Sequence, residues 1–273
     1  MTRGGRRSPQ LIVAAGLFLA AAVLLVAGLA RGGASPSSAP ARGGGERAAD
    51  LPAAPKSALA IGTPVPLKRH AQETTWAAVR RDVVARRLPS ASARAVGTLR
   101  ADTPEATTNI VPLLARRRAA DGELWLRVRL PALPNGTTGW VPRRALGAYG
   151  TARTHLIVDL DRRRATLRRD GRAVMRFPVG VGAPDAPTPR GEFIIRNRLT
   201  RYRSAFYGPI ALGTSARSTT LTDWPGGGYV GIHGTNEPDL IPGAVSHGCI
   251  RMRNADIVRL ARALPVGSPL TIR

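Results

Sequence analysis

The chain has 273 residues, of which 43% are hydrophobic, and this is enough for one large or two modest domains with a buried core. It has 41 lysines and arginines against 17 acidic residues, which gives a formal net charge of +24. The 30 glycines follow no three-residue period, so a collagen-like chain is excluded. The single cysteine excludes a disulfide framework within the chain and a four-cysteine zinc site.

The amino-terminal segment has the pattern of an export signal. Three arginines precede the uncharged stretch Leu11–Ala30. This stretch is as long as the roughly 20 residues that span a bilayer, whereas the apolar core of a cleavable signal peptide has about 7–15 residues. We therefore expect residues 1–31 to be a membrane anchor, with a cleaved signal peptide as the alternative.

Either reading places the rest of the chain outside the cytoplasm, in the cell wall or periplasm. Nucleic acid is then not an expected partner. The excess of arginine is explained either by a coding preference or by attraction to a polyanion. Anionic cell-wall polymers and membrane headgroups are the polyanions that this location offers.

Residues 32–59 are rich in Gly, Ser, Ala and Pro and are predicted to form a flexible linker. Residues 60–147 are predicted to form a small β-barrel-like domain. Within it, Trp76–Leu88 has apolar residues at helical spacing and is predicted to be a short helix. Leu124–Leu130 alternates apolar and polar residues like a strand, and Asn135–Gly136 is a turn signal.

The segment ELWLRVRLPALPNGTTGWVPRRAL, residues 123–146, resembles the last two strands of a bacterial Src-homology-three-like domain. Such domains are found beside wall enzymes. The resemblance implies a domain that either binds wall polymer or supports its neighbour, and we expect support.

Strand patterns dominate from Thr154 to the end of the chain. The predicted strands are His155–Leu160, Ala165–Arg169, Arg172–Val179, Glu192–Arg196, Tyr229–His233 and Leu270–Arg273. Asp170–Gly171 is a strong hairpin signal. One helix is predicted with Asn254 as its N-cap, an apolar stripe and a stop at Pro265. Residues 154–273 are therefore expected to be mainly β, with one or two helices.

Two short segments carry the residues with chemical potential, GIHGTN at 231–236 and SHGCIRM at 246–252. In an extended segment alternate side chains share a face, which predicts that His247 and Cys249 point the same way. A thiol has a pKa of about 8.5, and an adjacent imidazole that takes its proton makes it a nucleophile. The backbone N–H groups of His247, Gly248 and Cys249 are candidate donors to an oxyanion.

Two alternatives remain open on the residues alone. A zinc ion could be bound by His233, His247 and Cys249, since mixed cysteine and histidine sites bind zinc. A single cysteine can also be an inert buried residue. Spacing does not separate a metal site from a nucleophile.

The segment HGTNEPDLIPGAVSHGCIRMRNADI, which starts at His233, is very similar to the signature of L,D-transpeptidase catalytic domains of bacterial cell walls. The resemblance extends over residues 154–273 and includes PTPRGEF at 187–193 and GPIALGT at 208–214. It implies an L,D-transpeptidase-type β-sandwich in which Cys249 is the nucleophile and His233 is the general acid/base. The residues expected to form the oxyanion or substrate-binding site are Ser246, His247, Gly248, Arg251 and Gly234.

The resemblance also implies how His233 is oriented. Some members of the family have a serine after the first histidine, and this serine orients the ring. Here the position is Gly234, so a backbone carbonyl is expected to take over that task.

The function that the resemblance implies is the cross-linking of peptidoglycan stem peptides. The thiolate attacks a tetrapeptide stem, the terminal D-alanine leaves, and the resulting thioester is transferred to the amine of an acceptor stem. No metal or organic cofactor is expected. The alternatives are a hydrolase acting on the same stems, of the L,D-carboxypeptidase type, and a non-catalytic wall-binding protein.

Overall fold

A computed structural model describes residues 63–67, 73–200, 204–221 and 227–273. The predicted anchor at 1–31 and the predicted linker at 32–59 lie outside the described residues. In the part of the chain that is described, no helix is long and apolar enough to cross a membrane.

The first part of the described chain forms an eight-stranded sheet. Its strands are β1 (Val65–Pro66), β2 (Thr74–Val79), β3 (Val83–Arg86), β4 (Ala95–Leu99), β5 (Ile110–Arg118), β6 (Leu124–Arg129), β7 (Thr138–Pro142) and β8 (Leu146–Ala152). The spatial order is β4-β3-β7-β6-β5-β2-β8, and β1 pairs with β5. The alternating residues of β2 and β6 that face inward pack into one buried cluster with Val141 of β7.

The helix predicted over Trp76–Leu88 is wrong. Trp76 lies in β2 and Val83 begins β3, and Asp82 lies between the two strands. β2 is paired on both sides, because Ala77 lies opposite Val111 of β5 and opposite Tyr149 of β8. Pairing with distant strands therefore outweighs the local apolar spacing, as is common for short segments rich in Thr, Val and Trp.

The second part forms a ten-stranded sheet and one helix. The elements are β9 (Thr154–Asp159), β10 (Arg164–Arg169), β11 (Arg172–Pro178), β12 (Gly180–Gly182), β13 (Gly191–Leu199), β14 (Ala211–Arg217), β15 (Tyr229–His233), β16 (Gly243–Ser246), β17 (Ile250–Arg251), α1 (Asn254–Ala263) and β18 (Pro269–Ile272). The spatial order is β11-β10-β9-β18-β13-β14-β15-β17-β12-β16.

This sheet folds back on itself around its own core. Leu156 of β9 and Leu167 of β10 belong to the same buried cluster as Ile232 of β15 and Ile250 of β17. The two pairs of strands are far apart in the sheet order, so their inner faces meet only if the sheet curves over, as the layers of a β-sandwich do. The prediction of a mainly β protein is confirmed.

The start of α1 differs from the prediction. The helix begins at Asn254 itself, and its N-cap position is Arg253, whose side chain makes no capping hydrogen bond. The Asn254 side chain is used elsewhere, because its Oδ1 accepts a hydrogen bond of 2.9 Å from the backbone N–H of Thr235. The predicted N-cap is therefore wrong, and Asn254 ties the helix to the loop that follows β15.

Candidate active site

The parallel pairing of β15 with β17 brings together two residues that are far apart in the sequence. In this register Ile232 lies opposite Ile250, and His233 lies opposite Arg251. The two isoleucines pack into the core. Alternate residues of a strand share a face, so the other face carries His233 and, at the position just before β17, Cys249. Both are buried, with 1% of His233 and 5% of Cys249 exposed.

The sulfur of Cys249 lies against the backbone of Gly231. Its backbone N–H donates a hydrogen bond of 3.3 Å to Sγ of Cys249. Gly231 has no side chain and lies between Tyr229 and His233 on the same face of β15, which leaves room for the sulfur there. An amide donor of this kind interacts more strongly with a thiolate than with a thiol.

The orientation of His233 is determined by a backbone carbonyl. Nδ1 of His233 lies 2.6 Å from the carbonyl oxygen of Gly234. Since a carbonyl only accepts, Nδ1 carries a proton, and in the neutral ring Nε2 is then the acceptor. This is the contact that the sequence predicts from glycine at position 234.

Two aromatic residues that the sequence patterns do not predict lie beside this imidazole. Phe206 and Tyr207 lie in a 3-10 turn between β13 and β14. The ring of Tyr207 contacts His233 edge to face at 4.8 Å, and the ring of Phe206 lies 6.2 Å from it. The sequence contains no spacing signal for this contact, because the turn precedes β14 and reaches β15 only through the pairing of those two strands.

The loop before Cys249 is held by hydrogen bonds from two side chains, one in the loop and one in a distant segment. Oγ of Ser246 donates to the carbonyl of Cys249 at 2.5 Å and accepts from the N–H of Gly248 at 3.2 Å. Oγ1 of Thr188, in the PTPRGEF segment, donates to the carbonyl of Gly248 at 3.0 Å. The N–H of Gly248 is therefore engaged by Ser246, and the remaining candidate oxyanion donors are those of His247 and Cys249.

The prediction that His247 and Cys249 share a face is wrong. His247 is exposed, whereas Cys249 is buried. The reason is Gly248, whose φ of 116° interrupts the extended backbone between them. The nearer histidine in sequence is thus turned towards solvent.

Arg251 lies beside the pair but is engaged by an acidic residue. Its Nη1 is 2.9 Å from Oε2 of Glu237, and its guanidinium lies 4.7 Å from the ring centre of Phe206. The Arg251 side chain is 7% exposed, whereas that of Glu237 is 48% exposed. The guanidinium is thus held in place, and its acidic partner lies at the edge of the site.

The zinc alternative finds no support in this arrangement. Among the described residues, no group of three or more His, Cys, Asp and Glu side chains is close enough to hold a metal ion. His233, His247 and Cys249 are all described, so they do not converge as ligands.

The fold and the site together define a buried cysteine and histidine carried by neighbouring parallel strands of a mainly β protein. The chain belongs to the YkuD family of L,D-transpeptidase catalytic domains, whose family model matches residues 153–272. It is 33% identical over 159 residues to YkuD of Bacillus subtilis, a predicted L,D-transpeptidase, and the match covers 56% of this chain and 90% of that protein.

One further relative and one solved structure are also similar to the chain. YkuD of Bacillus licheniformis, also a predicted L,D-transpeptidase, is 38% identical over 117 residues, which is 43% of this chain and 64% of that protein. Among solved structures, an L,D-transpeptidase from Mycobacterium smegmatis matches with 16% identity and a TM-score of 0.36, over 55% of this chain and 90% of that chain.

Proposed function

We propose that this protein is a peptidoglycan L,D-transpeptidase that acts outside the cytoplasm. The observation that carries the proposal is the shared face of β15 and β17. There the Cys249 sulfur accepts an amide hydrogen bond and the His233 ring is held as the tautomer with Nε2 as acceptor. These are the two groups that an acyl transfer through a thioester requires.

In the first half-reaction, Nε2 of His233 takes the proton of the Cys249 thiol. The thiolate attacks the amide carbonyl that precedes the terminal D-alanine of a tetrapeptide stem. The backbone N–H groups of His247 and Cys249 donate to the oxyanion that forms. His233 then returns the proton to the amine of D-alanine, which leaves, and the stem remains as a thioester.

In the second half-reaction, the side-chain amine of the third residue of another stem attacks the thioester. His233 takes a proton from this amine, and the Cys249 sulfur leaves as the thiolate. The product is a direct cross-link between two third residues. Attack by water instead would give hydrolysis, so the chemistry that follows the thioester depends on which acceptor reaches it.

The neighbouring residues have supporting roles in this proposal. Ser246 and Gly248 shape the loop that presents the oxyanion donors, and Gly234 orients the base. Arg251 binds the carboxylate of a stem peptide by exchanging it for Glu237, since a guanidinium suits bidentate binding of a carboxylate. The exposed position of Glu237 allows this exchange without moving the buried guanidinium.

The test is incubation of the purified full chain with tetrapeptide fragments of peptidoglycan, followed by mass analysis of the products. A cross-linked dimer that requires both Cys249 and His233 supports the transpeptidase. Tripeptide without dimer identifies a hydrolase, and the absence of any product identifies a wall-binding protein.

The matched variants are Cys249→Ala and His233→Gln. Cys249→Ala is expected to abolish product, and His233→Gln to lower its rate at least 100-fold, the lower range for loss of a general base. A carbapenem should add its mass to the intact wild-type chain and not to Cys249→Ala. Product formation by Cys249→Ala would refute the thioester route.

The assignments outside the catalytic region belong to the same proposal. Residues 1–31 hold or export the protein through the membrane, 32–59 form the linker, and 60–147 form a Src-homology-three-like domain that supports the catalytic region at 154–273. An extracytoplasmic location agrees with a substrate that is part of the cell wall.

An anionic cell-wall polymer is the further partner that we propose. The outer face of β9, β10 and β11 contains a groove of about 480 Å³ with Ile157 and Thr166 in its lining. The arginines that line it are Arg162, Arg164, Arg168, Arg176 and Arg273. Asp159 is its one acidic residue and pairs with two of the five, so the groove keeps a positive charge suited to a phosphate polymer.

A further inference from the structure

The buried cluster that contains Cys249 includes an aromatic ring that two arginine guanidiniums contact. Tyr229, the first residue of β15, packs in one buried cluster with Cys249. The guanidinium of Arg196 lies 3.9 Å from the centre of the Tyr229 ring, and that of Arg217 lies 4.2 Å from it. Both distances are within the range of cation–π contacts. The ring that both guanidiniums contact therefore belongs to the same buried cluster as the sulfur.

The first sheet and its loops hold this stack in place. The hydroxyl of Tyr229 donates to the carbonyl of Pro131 at 3.2 Å. Asn135 bonds twice to the backbone of Arg217, donating at 2.7 Å and accepting at 3.0 Å. Nη2 of Arg196 is 3.3 Å from Oε2 of Glu105, and this pair is buried, with 0% and 5% of the two side chains exposed.

The charges of the stack do not cancel within the part of the chain that the structure describes. Glu105 compensates Arg196, whose pKa is lowered by burial while Tyr229 and Glu105 oppose that change. Arg217 forms no ion pair with any described residue. Its Nε is buried and has no hydrogen-bond partner among the described residues. Within the described chain, one positive charge of the stack therefore lacks an acidic partner, and Arg217 is partly buried, which reduces the screening of that charge by solvent.

We propose that Arg217 keeps Cys249 in the thiolate form across the Tyr229 ring, and that Glu105 of the neighbouring sheet limits this effect by neutralising Arg196. Arg217 and Glu105 are thus positioning residues, which act on the nucleophile through other groups. The inference rests on the proposed role of Cys249. It assigns to residues 60–147 an electrostatic task in addition to mechanical support.

Other titratable and charged groups near the sulfur are the same in every variant. They are His233 on β15, Arg251 on β17, Tyr207 in the 3-10 turn, which packs against the same buried cluster as Cys249, and the exposed His247 in the adjoining loop. Differences between variants in the midpoint pH of Cys249 alkylation therefore report the effect of the Arg196–Tyr229–Arg217 stack. A nearby cation favours the thiolate, so its removal should raise the pH at which Cys249 becomes reactive, and removal of Glu105 should lower that pH.

The experiment measures the rate of alkylation of the full chain by iodoacetamide as a function of pH, by intact mass. Cys249 is the only cysteine, so the label is unambiguous. We expect Arg217→Met to raise the midpoint pH by about 0.5–1 unit, the order expected for the loss of one partly screened charge near a thiol. Arg217→Lys keeps the charge and should stay close to the wild type. Glu105→Gln should lower the midpoint by a similar amount.

The opposite directions separate an electrostatic role from a structural one. Loosening of the site would move Arg217→Met and Glu105→Gln the same way, and that outcome overturns the proposal, as does an unchanged midpoint in both. If Arg217→Met does not fold, Glu105→Gln decides alone, because only a downward shift agrees with the charge argument. Alkylation needs no peptidoglycan, so a chain inactive on tetrapeptides would refute the transpeptidase while leaving these shifts intact.

Discussion

The substitution Gly234→Ala adds one methyl group and tests whether the backbone at position 234 determines the orientation of His233. A Cβ added there would overlap Oδ1 of Asn254, and it would lie 3.0 Å from Cα of Gly208 and 3.1 Å from Cδ of Pro209. The first contact is closer than real Cβ atoms show, so the Asn254 side chain must move in Gly234→Ala. It then loses the hydrogen bond that it accepts from the N–H of Thr235.

The expected cost has two parts. Overpacking of a tight site costs about 1–3 kcal/mol. The lost hydrogen bond costs about 0.5–1.5 kcal/mol. We therefore expect Gly234→Ala to lower the free energy of unfolding by about 2–4 kcal/mol. The carbonyl that orients His233 belongs to the same residue, and a misplaced catalytic group can lower the rate about 100-fold.

Urea unfolding measures the stability, and kcat/KM for dimer formation measures the activity. Gly147→Ala is the matched control, because its added Cβ would lie 3.6 Å from Ala78, an ordinary contact. It should change the free energy of unfolding by less than about 0.5 kcal/mol. Asn254→Ala removes the obstructing group, so Gly234→Ala should cost about 1 kcal/mol less in that background.

The reasoning fails if Gly234→Ala unfolds within about 0.5 kcal/mol of the wild type and keeps its kcat/KM. The role of Asn254 is refuted if the effects of Gly234→Ala and Asn254→Ala on the free energy of unfolding are additive in the double variant. Additivity would mean that the two groups do not meet, and that Asn254 is not what excludes a side chain at position 234.

Two other predictions concern the far side of the catalytic region. Burial lowers the pKa of the half-buried His155 below its usual 6.5, so the stability it contributes is present above pH 6.5 and is lost as the pH falls through its folded-state pKa. His155→Gln should flatten this acid-side loss in urea unfolding at pH 7.5 and pH 5, and equal losses in both proteins would contradict it. Replacing Arg164 and Arg176 by serine should weaken binding to linear polyphosphate more than the same change at the exposed Arg81 and Arg94. Equal losses would show that overall charge, not the groove, is responsible.

Local sequence patterns are sufficient to predict secondary structure where it is formed by residues that are neighbours in the sequence. Asp170–Gly171 predicts a hairpin turn, and both residues have positive φ, 48° and 77°. Tyr229–His233 was predicted as a strand with the bounds that β15 has. The apolar stripe of α1 is buried as predicted, because helical spacing alone places Ile257 and Leu260 on one face.

Local patterns failed where a distant partner decides. Trp76 and its neighbours have apolar residues at helical spacing, yet they pair with strands on both sides. Asn254 is a favourable N-cap by type, but its side chain bonds to Thr235 instead. The contact of Tyr207 with His233 depends on strand pairing and has no signal in the spacing of the residues.

The sequence by itself determined the family, because a single thiol with glycine and histidine beside it, in a motif that resembles a known signature, restricts the choice. The resemblance already points to His233, but only the tertiary structure shows how His233 reaches the buried face that carries the sulfur. The parallel register of β15 and β17 places His233 on the face of Cys249. The positive φ of Gly248 turns His247 to the surface, although it is the nearer histidine in the chain. A strand register is set by hydrogen bonds between distant segments, and residue spacing along one segment does not contain that information.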